Sequence, residues 1–247
     1  MNIFHKLAKL IVSKQCPICG SRFMEYQETG TSSKIWDELR GVGAGKRKAI
    51  CPHCGSSDRE RLIYLYLRDF YIPSIKEKNI RCLHIAPEVH LTEFLKSQPN
   101  IDYTAGDKRC AGYSYPNYVQ DIDIMDMHNI PDASFDLIIC NHVLEHVSND
   151  ITAMKELRRI LKNDGIAILQ VPLALRLAAT IDDPMITSPE QRFEKYGQSD
   201  HVRLYGRDYP ERLKEVGFVV KEFNIAQRYS QKYGLNKHEH LFCCKKQ

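Results

Sequence analysis

Short apolar runs recur along the last two thirds of this chain: Arg81 to Ile85, Tyr103 to Ala105, Leu137 to Cys140, Ile166 to Val171, Phe218 to Phe223 and His240 to Cys244. Each is too brief and too uniform for an amphipathic helix, and segments of helical periodicity separate them. The alternation predicts a doubly wound α/β sheet beginning near residue 80. Its clearest unit runs from Phe135 to Val171: a buried strand, a polar turn, a helix and a second buried strand, followed over Leu161-Lys162-Asn163-Asp164-Gly165 from helix to strand. The polar turn holds Asn141, His142, Glu145 and His146 at the carboxyl end of its strand, where open α/β sheets bind their ligands. His142, Glu145 and His146 stand at offsets of zero, three and four, so a helix starting at the turn is expected to gather them on one face.

The N-terminal part follows a different pattern. Cys16-Pro17-Ile18-Cys19-Gly20 and Cys51-Pro52-His53-Cys54-Gly55 are near-identical knuckles. Two residues between thiolates let one tight turn present both sulfurs to a metal, and the glycine relieves the backbone behind the second cysteine. Four thiolates favour structural zinc, closed to substrate. Between the knuckles, Gly41-Val42-Gly43-Ala44-Gly45-Lys46-Arg47-Lys48 reads as a mobile loop, with phosphate binding as the other reading. A helix begins near Asp58, with Ser56 or Ser57 as its cap and Pro73 as its end. The opening residues carry Phe4, Leu7, Leu10 and Ile11 at helical spacing, which suits a docked helix or a weak membrane-surface contact. The organisation expected is thus an N-terminal helix (1–15), a zinc ribbon (16–58), a bridging helix (59–79) and the sheet domain (80–247).

Bulk properties narrow the partners. The 247 residues, 43% hydrophobic and 27% charged, suffice for a full core, and no run reaches the ~18 apolar residues of a membrane span. A net charge of +4, from 35 basic and 31 acidic residues, falls well short of the footprint of a dedicated nucleic-acid binder. Nine cysteines without an export signal point to a reducing cytoplasm, where cysteine clusters hold metal. Cys82, Cys110, Cys140, Cys243 and Cys244 read as small core residues.

Asp132-Ala133-Ser134-Phe135-Asp136, Val143-Leu144-Glu145-His146-Val147, Glu156-Leu157-Arg158-Arg159-Ile160-Leu161-Lys162 and Gly165 resemble the middle of class I S-adenosylmethionine-dependent methyltransferases, of the methyltransferase type 11 kind. The resemblance spans about residues 80 to 247. It implies a Rossmann-like seven-stranded sheet whose last strand, near Leu241 to Cys244, runs antiparallel. It also implies S-adenosylmethionine as cofactor. The family's glycine-rich loop after the first strand is replaced by His84-Ile85-Ala86-Pro87-Glu88. Ala86 is small enough for close approach, and Glu88 is suited to pair with the cofactor's ammonium. The resemblance assigns the ribose hydroxyls to Asp107 and the adenine to Asp123 with Ile124, Asp121 standing as the alternative; His84 and Asn141 complete the expected cofactor set.

Methyl transfer to a hydroxyl needs positioning and a route for the proton. His142 and His201 are the candidate catalytic residues, and His142, Glu145, His146 and His201 a candidate second, divalent metal site. The polar segment from about 173 to 206 is expected to act as a substrate lid through Gln198, Asp200, Arg203 and Tyr205. The favoured acceptor is a hydroxylated small molecule, sugar or surface-glycan precursor, because the ribbon, the altered first loop and the Gln-x-Asp-His-Val-Arg lid resemble bacterial methyltransferases of surface-polysaccharide gene neighbourhoods. RNA or protein methylation guided by the ribbon, and a non-catalytic zinc-ribbon scaffold, are the alternatives.

Overall fold

The structure is a computed structural model that describes residues 14–76, 78–110 and 114–247. Most of the expected N-terminal helix, residues 1–13, lies outside the described residues. Seven strands form the main sheet: β1 (Ile80–Ile85), β2 (Ile101–Asp107), β3 (Val119–Asp121), β4 (Phe135–Asn141), β5 (Leu161–Gln170), β6 (Phe218–Phe223) and β7 (Leu241–Lys246). Their order is β6-β7-β5-β4-β1-β2-β3. β7 pairs antiparallel with both β5 and β6, and the other pairings are parallel. The three-residue β3 had no apolar run to announce it.

The central strands are apolar on both faces because each face carries its own core. Ile138 and Cys140 join Leu83, Ile85 and Met154 on one side, while Leu137 and Ile139 join Cys82, Leu91 and Leu62 on the other. This is the alternation a strand buried on two sides requires. Cys82, Cys140, Cys243 and Cys244 lie in these cores, as expected; Cys110 does not, being exposed in the connection after β2.

The ribbon is built from two small hairpins, Lys14–Gln15 with Arg22–Phe23 and Gln27–Thr29 with Arg47–Ile50, and a short helix α1 (Lys34–Glu38). Helix α2 (Asp58–Tyr66) then starts on a capping box in which Ser57 and Glu60 each bond the other's backbone N–H. Pro73 does not end this helical stretch. A π-helical turn at Leu67–Tyr71 carries it into Ile72–Ile75, with Pro73 in a first turn where no amide hydrogen is needed.

Arg61 of α2 holds the ribbon to the sheet domain. Fully buried, it donates to the carbonyls of Ala49, Ser56, Tyr233 and Gly234 and lies 4.1 Å above the Tyr26 ring. A guanidinium left unpaired there would cost several kcal/mol; four fixed acceptor directions make it a rivet. Among the described residues no helix is long and apolar enough to cross a membrane.

Candidate active site

Two regions at the carboxyl edge of the sheet carry chemistry. The first lies over β1 and β2. Ala86 follows β1 with φ +49, a left-handed conformation that glycine adopts without strain and alanine does not. The chain therefore keeps the backbone shape of a glycine loop while carrying a methyl group, held by the Ala86 N–H bond to the Gly106 carbonyl at 2.8 Å. Ala86 and Asp107 line a cavity of about 320 Å³ with Pro87, Val89, Tyr115 and Tyr118. Burial pushes the Asp107 carboxyl above its usual range, and no side-chain donor among the described residues meets it. An under-used carboxylate beside an aromatic-walled cavity fits the ribose of an adenosyl group. Tyr115 and Tyr118 were not foreseen, although Tyr113-Ser114-Tyr115-Pro116-Asn117-Tyr118 is an aromatic cluster in the sequence.

The other expected cofactor residues are placed differently. His84 is fully buried and bonds Glu88 at 2.7 Å and the Tyr103 hydroxyl at 3.1 Å; Glu88 also accepts from Asn141. Burial alone would raise the Glu88 carboxyl, but the bonds from His84 and Asn141 hold it low. These three brace the ends of β1 and β4 against each other, so Glu88 reaches an ammonium only in competition with His84 and Asn141. Asp123 is engaged by Lys108 at 2.6 Å and by the Met125 N–H, Asp121 accepts from the Arg109 N–H, and Ile124 is buried in the core.

The second region follows β4. The expected helix does not start at the turn: residues 142–149 form irregular turns, and helix α3 (Asp150–Ile160) begins only where Asn149 caps the Thr152 N–H. His142 itself has φ +55, which no helix accommodates. The turn is shaped from outside by Arg203, fully buried, whose guanidinium donates to the carbonyls of Leu144, Val147 and Ser148. Tyr205, also buried, donates to Asp150 at 2.8 Å. Both therefore face into the fold and act on the turn, instead of lining an open lid. Gln198 and Asp200 do stand at the surface, with Asp200 3.4 Å from His146.

These contacts bring three of the four expected metal-site residues together. Ligating atoms of Glu145, His146 and His201 lie within 4.8 Å of one another. His142 stands behind them, its Nδ1 3.2 Å from Glu145. Burial holds the His142 imidazole below its usual range, while the neighbouring imidazoles keep Glu145 ionised against the pull of its own burial. The pair is a neutral imidazole donating to a carboxylate, which leaves Nε2 with a free lone pair. Burial lowers His201 as well.

The ribbon and the segment after β5 pack against this region. Gly41–Val42 pairs with Leu173–Ala174 just after β5 and Arg47–Ile50 with Gln27–Thr29, so the glycine segment, expected as a mobile loop, has both ends in strands with bends over residues 43–46 between them. A Cβ on Gly43 would come within 2.9 Å of the His142 ring, and one on Gly197 within 2.1 Å of Trp36 Nε1. The glycines serve close packing as much as backbone freedom. Trp36 of α1 packs edge-on to His201 and shares a cluster with Tyr196 and Leu204. It is the only tryptophan of the chain and lies between the knuckles, so the sequence itself marks it. Of seven buried side-chain polar atoms without a partner among the described residues, five lie here: Trp36 Nε1, Asn141 Oδ1, His142 Nε2, Glu145 Oε2 and His201 Nδ1. Buried polar atoms are normally paired, so this concentration marks a ligand site.

The zinc-ribbon cysteines also converge. Cys16 and Cys54 sulfurs are 3.7 Å apart, and those of Cys19 and Cys51 3.8 Å. Two thiolates on one tetrahedral zinc sit about 3.8 Å apart at Zn–S bonds near 2.3 Å, so the four residues fit the ion. The Gly20 and Gly55 N–H groups bond the carbonyls of Cys16 and Cys51 in matching knuckles.

The seven-stranded, mostly parallel sheet with its antiparallel end is a Rossmann-like methyltransferase fold. Residues 90–169 match the family model described as Methyltransferase domain. Among solved structures the chain is similar to the [4+2]-cyclase SpnF, at 14% identity over 90% of this chain and 99% of that one, with a TM-score of 0.50, a likeness of fold. It is also similar to a SAM-dependent methyltransferase from Archaeoglobus fulgidus (21% identity, 68% and 72% covered, TM-score 0.44) and to a Bacillus halodurans C-125 protein (20%, 59% and 62%, 0.41). The chain thus spans under two thirds of the latter's length. No curated protein matches the chain.

Proposed function

We propose that this protein transfers a methyl group from S-adenosylmethionine to a hydroxyl of a small, polar acceptor, a sugar or glycan precursor being the favoured class. The five unpartnered polar atoms gathered around the turn after β4, together with the Ala86–Asp107 cavity, carry this reading. Asp107 would hold the ribose and Ala86 the backbone approach; the bound cofactor supplies an electrophilic methyl on sulfur. Displacement at that carbon gains most from positioning and from removal of the acceptor's proton. His142 is suited to take it: Glu145 fixes Nδ1–H, and Nε2 is the free acceptor. Trp36, the glycine strand and the lid exclude water. The four cysteines would hold a structural zinc that keeps the ribbon, and with it this cover, folded.

The ribbon's basic run does not favour nucleic acid. Lys46 pairs with Glu28, Arg47 with Asp58 and Lys48 with Glu25, so its charges are answered within the ribbon and the following helix. The deciding experiment supplies labelled S-adenosylmethionine with separated fractions of glycan precursors, small metabolites, RNA and protein. Label in the hydroxylated carbohydrate fraction is expected. Label confined to RNA or protein would transfer the activity to those acceptors, and calorimetry showing no cofactor binding would leave a scaffold.

A further inference from the structure

We propose that Glu145, His146 and His201 form a divalent-cation site, distinct from the ribbon zinc, that receives the acceptor's oxygen atoms. The inference deepens the methyl-transfer reading and rests on it for the site's role, but the binding of the ion is tested independently.

The three donors come from two segments clamped together. The Val202 N–H donates to the Glu145 carbonyl at 2.9 Å, and Arg203 ties the same stretch to Leu144, Val147 and Ser148. The ligand-bearing residues are therefore held at fixed spacing by backbone contacts, independent of their own side chains. Glu145 Oε2 and His201 Nδ1 are both buried with no partner among the described residues. His146 completes the set from the solvent side: its Nδ1 lies 3.3 Å from the Asp200 carbonyl, and its Nε2 3.9 Å from Glu145 Oε1. An imidazole anchored through one nitrogen and open at the other is the arrangement found in metal-binding histidines, whose outer partner fixes the ring. Two ligand atoms on one tetrahedral ion lie about 3.3 Å apart, so small side-chain rotations bring these donors onto a shared ion.

The donor set points to the chemistry. Two imidazoles and one carboxylate suit zinc, manganese or iron(II) and do not discriminate strongly among them. Three protein ligands leave coordination positions open, in contrast to the closed four-thiolate ribbon. Half-exposed His146 leaves the cation's outer side toward solvent, where an acceptor could enter, while His142 stands on the inner side of Glu145. A hydroxyl bound to the ion would become more acidic and its oxygen would gain a defined position. Adjacent hydroxyls on one acceptor, as in a sugar diol, would occupy two open positions at once. The site therefore favours vicinal diols over isolated alcohols.

The test uses the full chain with its ribbon intact. Protein treated with a mild chelator and shown by elemental analysis to retain one zinc per chain is titrated with Mn2+ by calorimetry, and with Co2+ by absorption spectroscopy. One further equivalent is expected to bind, and Co2+ should give visible bands of nitrogen and oxygen ligation without added thiolate charge-transfer absorption. Glu145→Gln and His201→Ala should each weaken binding at least tenfold. Because those side chains are buried, His146→Ala provides the surface control: it should weaken binding tenfold with an unchanged melting temperature. Absence of a second equivalent in the wild-type protein, thiolate-type cobalt bands alone, or wild-type titration by His146→Ala would overturn the site. Methyl transfer without a second ion removes this inference and leaves the proposed function standing; ion binding without cofactor binding does the reverse.

Discussion

The cavity proposed for the cofactor and the cluster proposed for the acceptor, both at the sheet edge, are built on opposite plans. Over β1 and β2, the cavity walls come from residues close in sequence, Ala86 to Val89 and Asp107 to Val119. Over β4, the site draws on Trp36 and Gly43 from the ribbon, Glu145 and His146 from a turn, and Gly197 and His201 from the lid. A local site depends on one loop conformation and one carboxylate. A site assembled from three distant segments depends on every contact that keeps them together, so it should fail first when the ribbon is disturbed.

The largest effect should follow Cys51→Ser. Structural zinc contributes on the order of 10 kcal/mol to small metal-bound modules, and losing one thiolate should release the ribbon. Turnover is expected to fall more than ~100-fold, since the energy lost far exceeds the contacts holding Gly43 and Trp36 in place, while cofactor affinity falls less than ~tenfold. Calorimetry and single-turnover assays on the same preparation check this, and equal losses on both sides would abolish the proposed contrast.

Asp107→Ala should show the converse. Hydrogen bonds to a charged group contribute about 1.5–3 kcal/mol each, so cofactor affinity should drop by about 10- to 100-fold. Circular dichroism should be unchanged, because the Asp107 side chain has no side-chain donor to lose among the described residues. Unaltered affinity would remove Asp107 from the cofactor site.

A third outcome concerns pH. Glu239 is buried beside Gly43, and burial, with the nearby Asp58 charge, pushes its carboxyl up to about 7 against the pull of Arg47, Arg59 and Gln170. A raised folded-state pKa means the native protein keeps a proton that the unfolded chain releases near pH 4.5. Its contribution is full below that point and is lost as pH rises toward 7, at up to about 1.4 kcal/mol per pH unit. Urea denaturation at pH 5 and pH 7.5 should therefore show Glu239→Gln less damaging, or stabilising, at the higher pH. A difference between variant and wild type that does not vary with pH would rule out a protonated Glu239.

Ala86→Gly should have the smallest effect. Relief of left-handed alanine contributes about 1–2 kcal/mol, partly offset by the about 0.5–1 kcal/mol entropy of a new glycine. A gain of up to about 1 kcal/mol is expected, measured by denaturation, with turnover retained because the acceptor side does not share this loop. A loss of stability would mean that the alanine methyl packs against something the strain argument ignores.

How much of this was legible beforehand follows the same division. Six of the seven strands and the cysteine knuckles follow from periodicities and spacings a few residues long, whereas the antiparallel end of the sheet and the roles expected of Ala86 and Asp107 follow from the family resemblance. The turn after β4 was read as a helix because offsets of three and four satisfy a helical face. What overrode that pattern was Arg203, some sixty residues away, drawing the turn's carbonyls onto one guanidinium. The same distance hid the roles of Arg203 and Tyr205, which read as polar lid residues and proved to be buried supports. The glycine run between the knuckles was misjudged for a related reason: glycine signals freedom only when nothing packs against it.

By itself, the sequence determined the αβ alternation, the two knuckles and the chemical inventory of histidines and carboxylates, because each is expressed in the spacing of neighbours along the chain. Only the tertiary structure decided that His201 meets Glu145 and His146, that His142 stays behind as a neutral partner of the carboxylate, and that the ribbon packs against His142 and His201. Those outcomes depend on burial and on contacts between segments more than fifty residues apart, and local spacing carries no record of either.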